Sequence, residues 1–148
     1  LKSVCERWRV PRECRELADV VAREHGNIHR SGDFSATALL RLLERCDALR
    51  RPERLAEVLL ACECDARGRL GFGEQAYPQR ERLLRALAAA RTVDPEPIAS
   101  LLTASLPADA TAQARAQLGP RIAHAVHTAR AEAVAAALGH PGTGATPG

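Results

Sequence analysis

The apolar residues of this chain are almost all small or aliphatic, and this feature limits the possible folds more than any other. Of its 148 residues, 46% are apolar but only 3% are aromatic, so a core must be built from Leu, Ala, Val and Cys. A β-sandwich usually needs aromatic and β-branched residues, whereas helices can pack through short side chains. The sequence therefore predicts an all-α fold, a multi-helix bundle.

Apolar residues recur at helical spacing along most of the chain. Helices are predicted to start at Pro11, Pro52 and Pro78, because proline suits the first helical turn, and Ser35 is predicted to cap another. Gly68 lies where a glycine commonly ends a helix. We predict helices over 11–24, 35–50, 52–67 and 78–91, a short helix ending near 105, and an alanine-rich helical segment over 110–138.

Two residue pairs predict breaks in these helices. Gly26-Asn27 should end the first helix, and Gly119-Pro120 should interrupt the alanine-rich segment. Periodicity also predicts which side chains of the helix over 52–67 face the core. The charged residues predicted to face outward are Glu53, Arg54, Glu57 and Glu63.

The chain has only four aromatic residues and five cysteines. Trp8 and Tyr77 could stack on bases, but both are predicted to be core anchors beneath helix starts. No C-x-x-C pair is present, so the cysteines are interpreted as small buried or half-buried residues in a reducing compartment.

The charge of the chain favours no single class of partner. The net charge is +3, and twenty of the 21 basic residues are arginine, a residue suited to phosphate but also common in GC-rich genomes. No signal peptide or run long enough to span a membrane is predicted. The chain begins with Leu1 instead of Met, so we expect it to be a piece of a longer protein.

Three segments carry an unusual order of residues. They contain arginine-rich helix starts, a helix end that has both acidic and basic residues, and a Tyr-Pro-Gln sequence at which the next helix is predicted to begin. The first runs from Cys5 to Arg15 (CERWRVPRECR), the second from Cys46 to Pro52 (CDALRRP), and the third from Asp65 to Gln79 (DARGRLGFGEQAYPQ).

These segments resemble the C-terminal half of the bacterial multifunctional CCA protein family, tRNA nucleotidyltransferases with an appended HD phosphohydrolase domain. The resemblance implies that residues 1–92 are the C-terminal part of an HD-type helical domain. Residues 93–138 would be a helical tail, and 139–148 are expected to be disordered.

The same resemblance implies the activities of a larger parent chain. Such a protein adds C, C and A to tRNA 3′ ends from CTP and ATP with Mg²⁺, and its HD domain acts as a phosphodiesterase and phosphatase with a divalent metal such as Ni²⁺. The sequence contains no Gly-Gly followed by D-x-D, and no His-Asp doublet. We therefore expect no catalytic residue or cofactor in this piece and no activity in isolation. It would serve as a cytoplasmic scaffold that positions tRNA beside the N-terminal nucleotidyltransferase and HD portions.

Five arginines are the candidate tRNA phosphate contacts. Arg50, Arg51 and Arg54 surround a helix start, where free backbone N–H groups favour anions, while Arg67 and Arg69 follow a helix end. The alternative is that they form surface ion pairs. The partners predicted for such pairs are Asp65, Glu53 and Glu57.

His25 and His29 are four residues apart, a spacing that can bind a metal on one helix face. Because Gly26-Asn27 lies between them and no third donor is in view, they are interpreted as loop histidines. His124 and His127, which have no carboxylate nearby in sequence, are weaker candidates still.

Two other functions remain open. The chain could be a free-standing helical protein-interaction module that uses the apolar face of 35–50 or 120–138, or a metallohydrolase in its own right. If it is a fragment, the inner faces of 11–24 and 35–50 should be exposed, which predicts marginal stability or a homodimer.

Overall fold

A computed structural model of the chain describes residues 2–68, 71 and 73–139. These described residues form α-helices and one short 3-10 helix, Ser31–Asp33, and include no strand, so the predicted all-α fold is confirmed. None of the helices within these ranges is long and apolar enough to cross a membrane. The helices are α1 Lys2–Arg7, α2 Arg12–His29, α3 Ala36–Arg45, α4 Pro52–Arg67, α5 Pro78–Arg91, α6 Pro95–Ala104 and α7 Ala112–Gly139.

The predicted helix starts are largely confirmed. The Ser35 hydroxyl accepts a hydrogen bond from the Ala38 N–H at 3.3 Å, and α4 and α5 begin at their prolines. The helix predicted over 35–50, however, ends at Arg45. Asp47 has a φ of 56°, in the left-handed region, which a continuing right-handed helix does not allow.

The predicted end of the first helix at Gly26-Asn27 is wrong, because α2 continues to His29. Glycine costs a helix about 1 kcal/mol, and full burial of the Ile28 side chain outweighs this cost. The Asn27 amide also donates to the Glu24 carboxylate at 2.9 Å, so the residue that suggested a turn stabilises the helix instead.

The predicted interruption at Gly119-Pro120 is also wrong. Helix α7 runs through Pro120 without a break, and it packs on α3, α5 and α6. Its Val126 and Val134 side chains are buried. The packing of α7 on α3, α5 and α6 compensates for the hydrogen bond that proline cannot donate.

Helix α3 lies at the centre of the bundle, in contact with α2, α5 and α7. Leu39, Leu40, Leu42 and Leu43 are all fully buried. The expectation that the inner face of 35–50 is exposed is therefore wrong, since α7 and α5 cover it. For the same reason the apolar faces of 35–50 and 120–138, proposed as free interaction surfaces, pack on each other.

The aromatic and cysteine predictions are confirmed only in part. Tyr77 is partly buried against the core, but Trp8 is 74% exposed, because it lies in the turn after α1 and not beneath a helix. Among the cysteines, Cys5, Cys46 and Cys62 are buried, whereas Cys14 and Cys64 are exposed.

Candidate functional site

Three arginines converge on one carboxylate between α2 and α4. Glu16 accepts hydrogen bonds from Arg12 Nε at 2.7 Å, Arg54 Nη2 at 2.6 Å and Arg51 Nη1 at 3.2 Å. The bond from Arg12, followed by that from Arg54, lowers the pKa of Glu16 to about 2. We call these four residues the Glu16 clamp, because they join the start of α2 to the start of α4.

The side-chain direction predicted for Arg54 is wrong. Its side chain is only 13% exposed, since it turns inward to reach Glu16. The carboxylate in the clamp is neither of the predicted partners, Glu53 and Glu57. It is Glu16, which lies 35 residues from Arg51 and 38 residues from Arg54 in the sequence. Two of the five candidate phosphate contacts thus hold the bundle together.

Arg50 is positioned differently. Its guanidinium binds the Asp47 carboxylate in a forked arrangement, with Nη2–Oδ2 at 2.8 Å and Nε–Oδ1 at 3.1 Å. The bond from Arg50 lowers the pKa of Asp47. Because 74% of the Arg50 side chain is still exposed, this guanidinium remains accessible to solvent and anions.

At the other end of α4, Glu63 is shared by two arginines. It pairs with Arg67 and with Arg80 of α5, each at 2.9 Å. Glu63 is only 15% exposed, so its predicted outward direction is wrong; the contact with α5 draws it inward. The candidate Arg69 lies outside the described residues.

His29 connects the ends of α2, α4 and α5. Tyr77 Oη lies 2.9 Å from His29 Nδ1, and Asp65 Oδ2 lies 3.3 Å from Nε2. Burial, followed by nearby Cys62 and Glu63, raises the pKa of Tyr77 above its usual value. Because the Asp65 carboxylate can only accept, Nε2 of a neutral His29 ring carries the proton and donates to Asp65, which leaves Nδ1 to accept from the Tyr77 hydroxyl. Gln79 adds a bond from Nε2 to the His29 carbonyl at 3.0 Å.

The interpretation of His25 and His29 as loop histidines is wrong, because both lie on α2 with ring centroids 6.1 Å apart. The pair does not suit a metal. Both His29 ring nitrogens are engaged, and His25 Nδ1 lies 3.1 Å from the Val21 carbonyl. Across the described ranges no group of three or more His, Cys, Asp or Glu side chains could hold a metal ion. The described residues therefore provide no set of donors that fits the metals implied by the resemblance.

Two other charged contacts join helices. Arg45 Nε donates to both oxygens of the buried Glu24, at 3.0 and 3.1 Å, and so links α3 to α2. His127 Nδ1 lies 3.0 Å from Glu44 Oε1 and links α7 to α3. Sequence spacing could not reveal either pair, because the partners are 21 and 83 residues apart.

An open apolar groove of about 580 Å³ runs between α2 and α4. Its floor is formed by small and aliphatic side chains, and Asp65 lies at its edge. This partly confirms the expected exposure of the inner face of 11–24. The lining residues are Cys14, Leu17, Ala18, Val21, Ala22, His25, Ala61, Cys62 and Asp65.

The turn between α1 and α2 presents the most exposed large apolar side chain of the described chain, Trp8. It is flanked in sequence by Arg7 and Arg9, which are also exposed. Composition gave no sign of this arrangement, since a lone tryptophan is usually buried.

Comparison with known proteins shows that the sequence is similar to part of several multifunctional CCA proteins. The chain is 61% identical over 139 residues to the multifunctional CCA protein of Variovorax paradoxus (strain S110). It is 63% identical over 134 residues to that of Paracidovorax citrulli and 57% identical over 137 residues to that of Ralstonia nicotianae. The match with the Variovorax protein covers 94% of this chain but 31% of the relative.

The resemblance deduced from the three segments is thus confirmed, and the chain spans about three tenths of the length of the curated relatives it matches. No family model matches the chain. No solved structure matches it either.

Proposed function

We propose that this chain, so similar to one portion of the multifunctional CCA proteins, is the C-terminal scaffold and tRNA-facing part of a CCA-adding tRNA nucleotidyltransferase. The observation that carries the proposal is 61% identity over 94% of the chain to a protein of which it spans 31%. CTP, ATP, Mg²⁺ and the divalent metal of the HD domain would bind parts of the parent protein outside this chain. We place the activity in the cytoplasm.

Charged contacts between helices support the scaffold role. The Glu16 clamp, the Arg45–Glu24 pair and the His127–Glu44 pair each join two helices, and His29 joins three. Charge-assisted bonds have defined directions as well as energy, so they fix how the helices lie relative to one another. A surface built on such a frame can hold a large RNA in one orientation.

Among the candidate phosphate contacts, we assign Arg51 and Arg54 to the scaffold, because both bind Glu16. Arg50 and Arg67 are accessible although paired, and they are the better candidates for tRNA phosphates. Arg69 stays a prediction. Phosphate contacts of this kind position an RNA without reading its sequence.

A salt titration tests this assignment. In the full natural chain, Arg50→Ala and Arg67→Ala should each reduce the slope of log affinity for tRNA against log salt by about one. Arg23→Ala is the matched control, because Arg23 is exposed and paired with Asp19 in the same way. Unchanged slopes for the first two variants would remove them from the tRNA interface.

A nucleotide-incorporation assay tests the scaffold role. The full natural chain should add C, C and A nucleotides from CTP and ATP to tRNA lacking its CCA end, with release of pyrophosphate. The isolated 148-residue chain should add none and should release no phosphate from cyclic or 3′-phosphate substrates. Incorporation by the isolated chain would contradict the proposal.

A second candidate function is self-association, which the α2–α4 groove favours. A second copy of the chain would cover the groove in a homodimer. Val21→Glu should then convert a dimer to a monomer in sedimentation experiments, while Leu101→Glu, an exposed site on α6, should not. A wild-type chain that is monomeric at all concentrations would exclude this alternative.

A further inference from the structure

We propose that the turn between α1 and α2 is a contact site for single-stranded RNA, in which Trp8 stacks on an unpaired base and Arg7 and Arg9 bind the flanking phosphates. The proposal rests on the tRNA-facing role above and adds to it a specific site. None of the five candidate arginines lies in this turn.

The exposure of Trp8 is the first observation. Trp8 is 74% exposed, although tryptophan buries more apolar surface than any other residue when it is covered. Of the other exposed large apolar residues, only Leu101 is comparable, at 72%, and it has no adjacent arginine. An accessible indole provides a flat face on which any base can stack.

Backbone hydrogen bonds stabilise the turn that contains Trp8. Trp8 N–H donates to the Val4 carbonyl at 3.0 Å, and Val10 N–H donates to the Cys5 carbonyl at 2.9 Å. Arg9 has a φ of 47° and directs the chain into α2. Helix α1 is packed against the rest of the protein, because its Cys5 side chain is buried. The Trp8 indole faces solvent because it lies in the turn that follows this helix.

The two residues directly beside Trp8 in the sequence are cationic. Arg7 and Arg9 are exposed, and within the described part of the chain neither forms an ion pair, in contrast to Arg12, Arg50 and Arg54. Guanidinium groups without a carboxylate partner can bind phosphate oxygens without first breaking a pair.

A depression between α1 and α2 brings two further cations together with two carboxylates. Lys2 and Arg15 line a cavity of about 420 Å³ between α1 and α2 together with Glu16 and Asp19. The two carboxylates are already bound, Glu16 by the clamp and Asp19 by Arg23. Within the described residues Lys2 and Arg15 form no ion pair, so both cations remain available to an RNA strand that passes α1.

An RNA partner fits this surface better than a protein partner. A protein covering Trp8 would also have to desolvate Arg7 and Arg9, at a cost in free energy unless acidic groups were matched to both. A single RNA strand offers a base for the indole and a phosphate on each side of it. Stacking is also tolerant of sequence, as a site on a general tRNA-binding protein requires.

The test is RNA binding by the full natural chain and its Trp8→Ala variant. The probes are a tRNA with a free 3′ end and the same tRNA with that end annealed to a complementary strand. Trp8→Ala should weaken binding of the free-ended probe about tenfold and leave the annealed probe unaffected. The salt slope should not change, because stacking releases no counterion, whereas Arg7→Ala and Arg9→Ala should each lower it by about one.

Two controls accompany these variants. Leu101→Ala removes an equally exposed apolar side chain from α6 and should not change affinity. Trp8→Phe retains a ring and should recover part of the lost affinity. The difference between the wild-type and Trp8→Phe emission spectra should show the long-wavelength emission of a water-exposed indole, quenched when the free-ended probe binds.

The outcomes separate this inference from the function on which it rests. Wild-type binding with no loss in Trp8→Ala would overturn the stacking site and leave the tRNA-facing role intact. Equal loss for both probes would overturn the unpaired 3′ end of the tRNA as the ligand of Trp8. Short-wavelength emission without RNA would mean that another protein segment covers Trp8, and it too would overturn the site. A wild-type chain that binds no tRNA would overturn both proposals.

Discussion

Glu16 receives three guanidinium groups, and its environment departs far from that of an isolated glutamate. Arg12 comes from its own helix, whereas Arg51 and Arg54 come from the start of α4. The carboxylate is therefore held in its charged form to a low pH. Removing Arg51 or Arg54 would weaken the joint between α2 and α4, whereas Arg12 contributes a bond within α2.

The stability of the chain should depend on pH through this residue. The pKa of Glu16 is lowered in the folded state from 4.5 to about 2, so its contribution is complete above about pH 4.5 and is lost as the pH falls towards 2. The difference in unfolding free energy between wild type and Glu16→Gln should shrink over that interval. Urea titrations at several pH values measure it, and a difference that is constant with pH would contradict the assignment.

The bond between Tyr77 and His29 should have a measurable energy. Tyr77→Phe removes the hydroxyl that donates to His29 Nδ1 and should cost about 1 kcal/mol of unfolding free energy. A double-mutant cycle with His29→Ala separates this bond from the loss of packing. A coupling energy of zero would show that the two rings merely lie side by side.

At the scale of the helix, α2 is longer than local sequence preferences indicate. Gly26 lies within it, and a Cβ added at this position would meet nothing within 4 Å. Gly26→Ala should therefore stabilise the protein by about 1 kcal/mol in a denaturant titration. Gly68→Ala is the matched control: its Cβ would lie 3.0 Å from the Cys64 carbonyl, so no gain is expected. A destabilised Gly26→Ala variant would argue against a continuous helix here.

Helix starts were more predictable than helix ends. Ser35, Pro52 and Pro78 act through their own backbone and side chain, so local sequence was sufficient. Continuation through Gly26 or Pro120 depends on what the rest of the helix packs against, which is a property of the whole bundle. Local preferences of about 1–3 kcal/mol are then outweighed by burial.

For the whole molecule, apolar periodicity predicted where the helices lie in the sequence but not which helices contact one another. The apolar face of α3 could equally pack on a domain outside this chain or on α7. In the structure it packs on α7. The charged site residues were hardest to predict for the same reason. Arg54 and Glu16 are 38 residues apart, and only the packing of α2 on α4 brings them together.

The distribution of cysteines between surface and core has a practical consequence. Burial, followed by the charge of Glu24, raises the pKa of Cys46 to about 12, and burial followed by Asp65 raises that of Cys62 to about 11. Cys14 and Cys64, which are exposed, should react with a thiol reagent at once, and Cys46 and Cys62 only when the bundle opens. Mass spectrometry of samples alkylated for increasing times would measure this, and simultaneous modification of all four would contradict it. The rate at which Cys46 and Cys62 become labelled would then measure how often the bundle opens spontaneously, with no foreign probe attached.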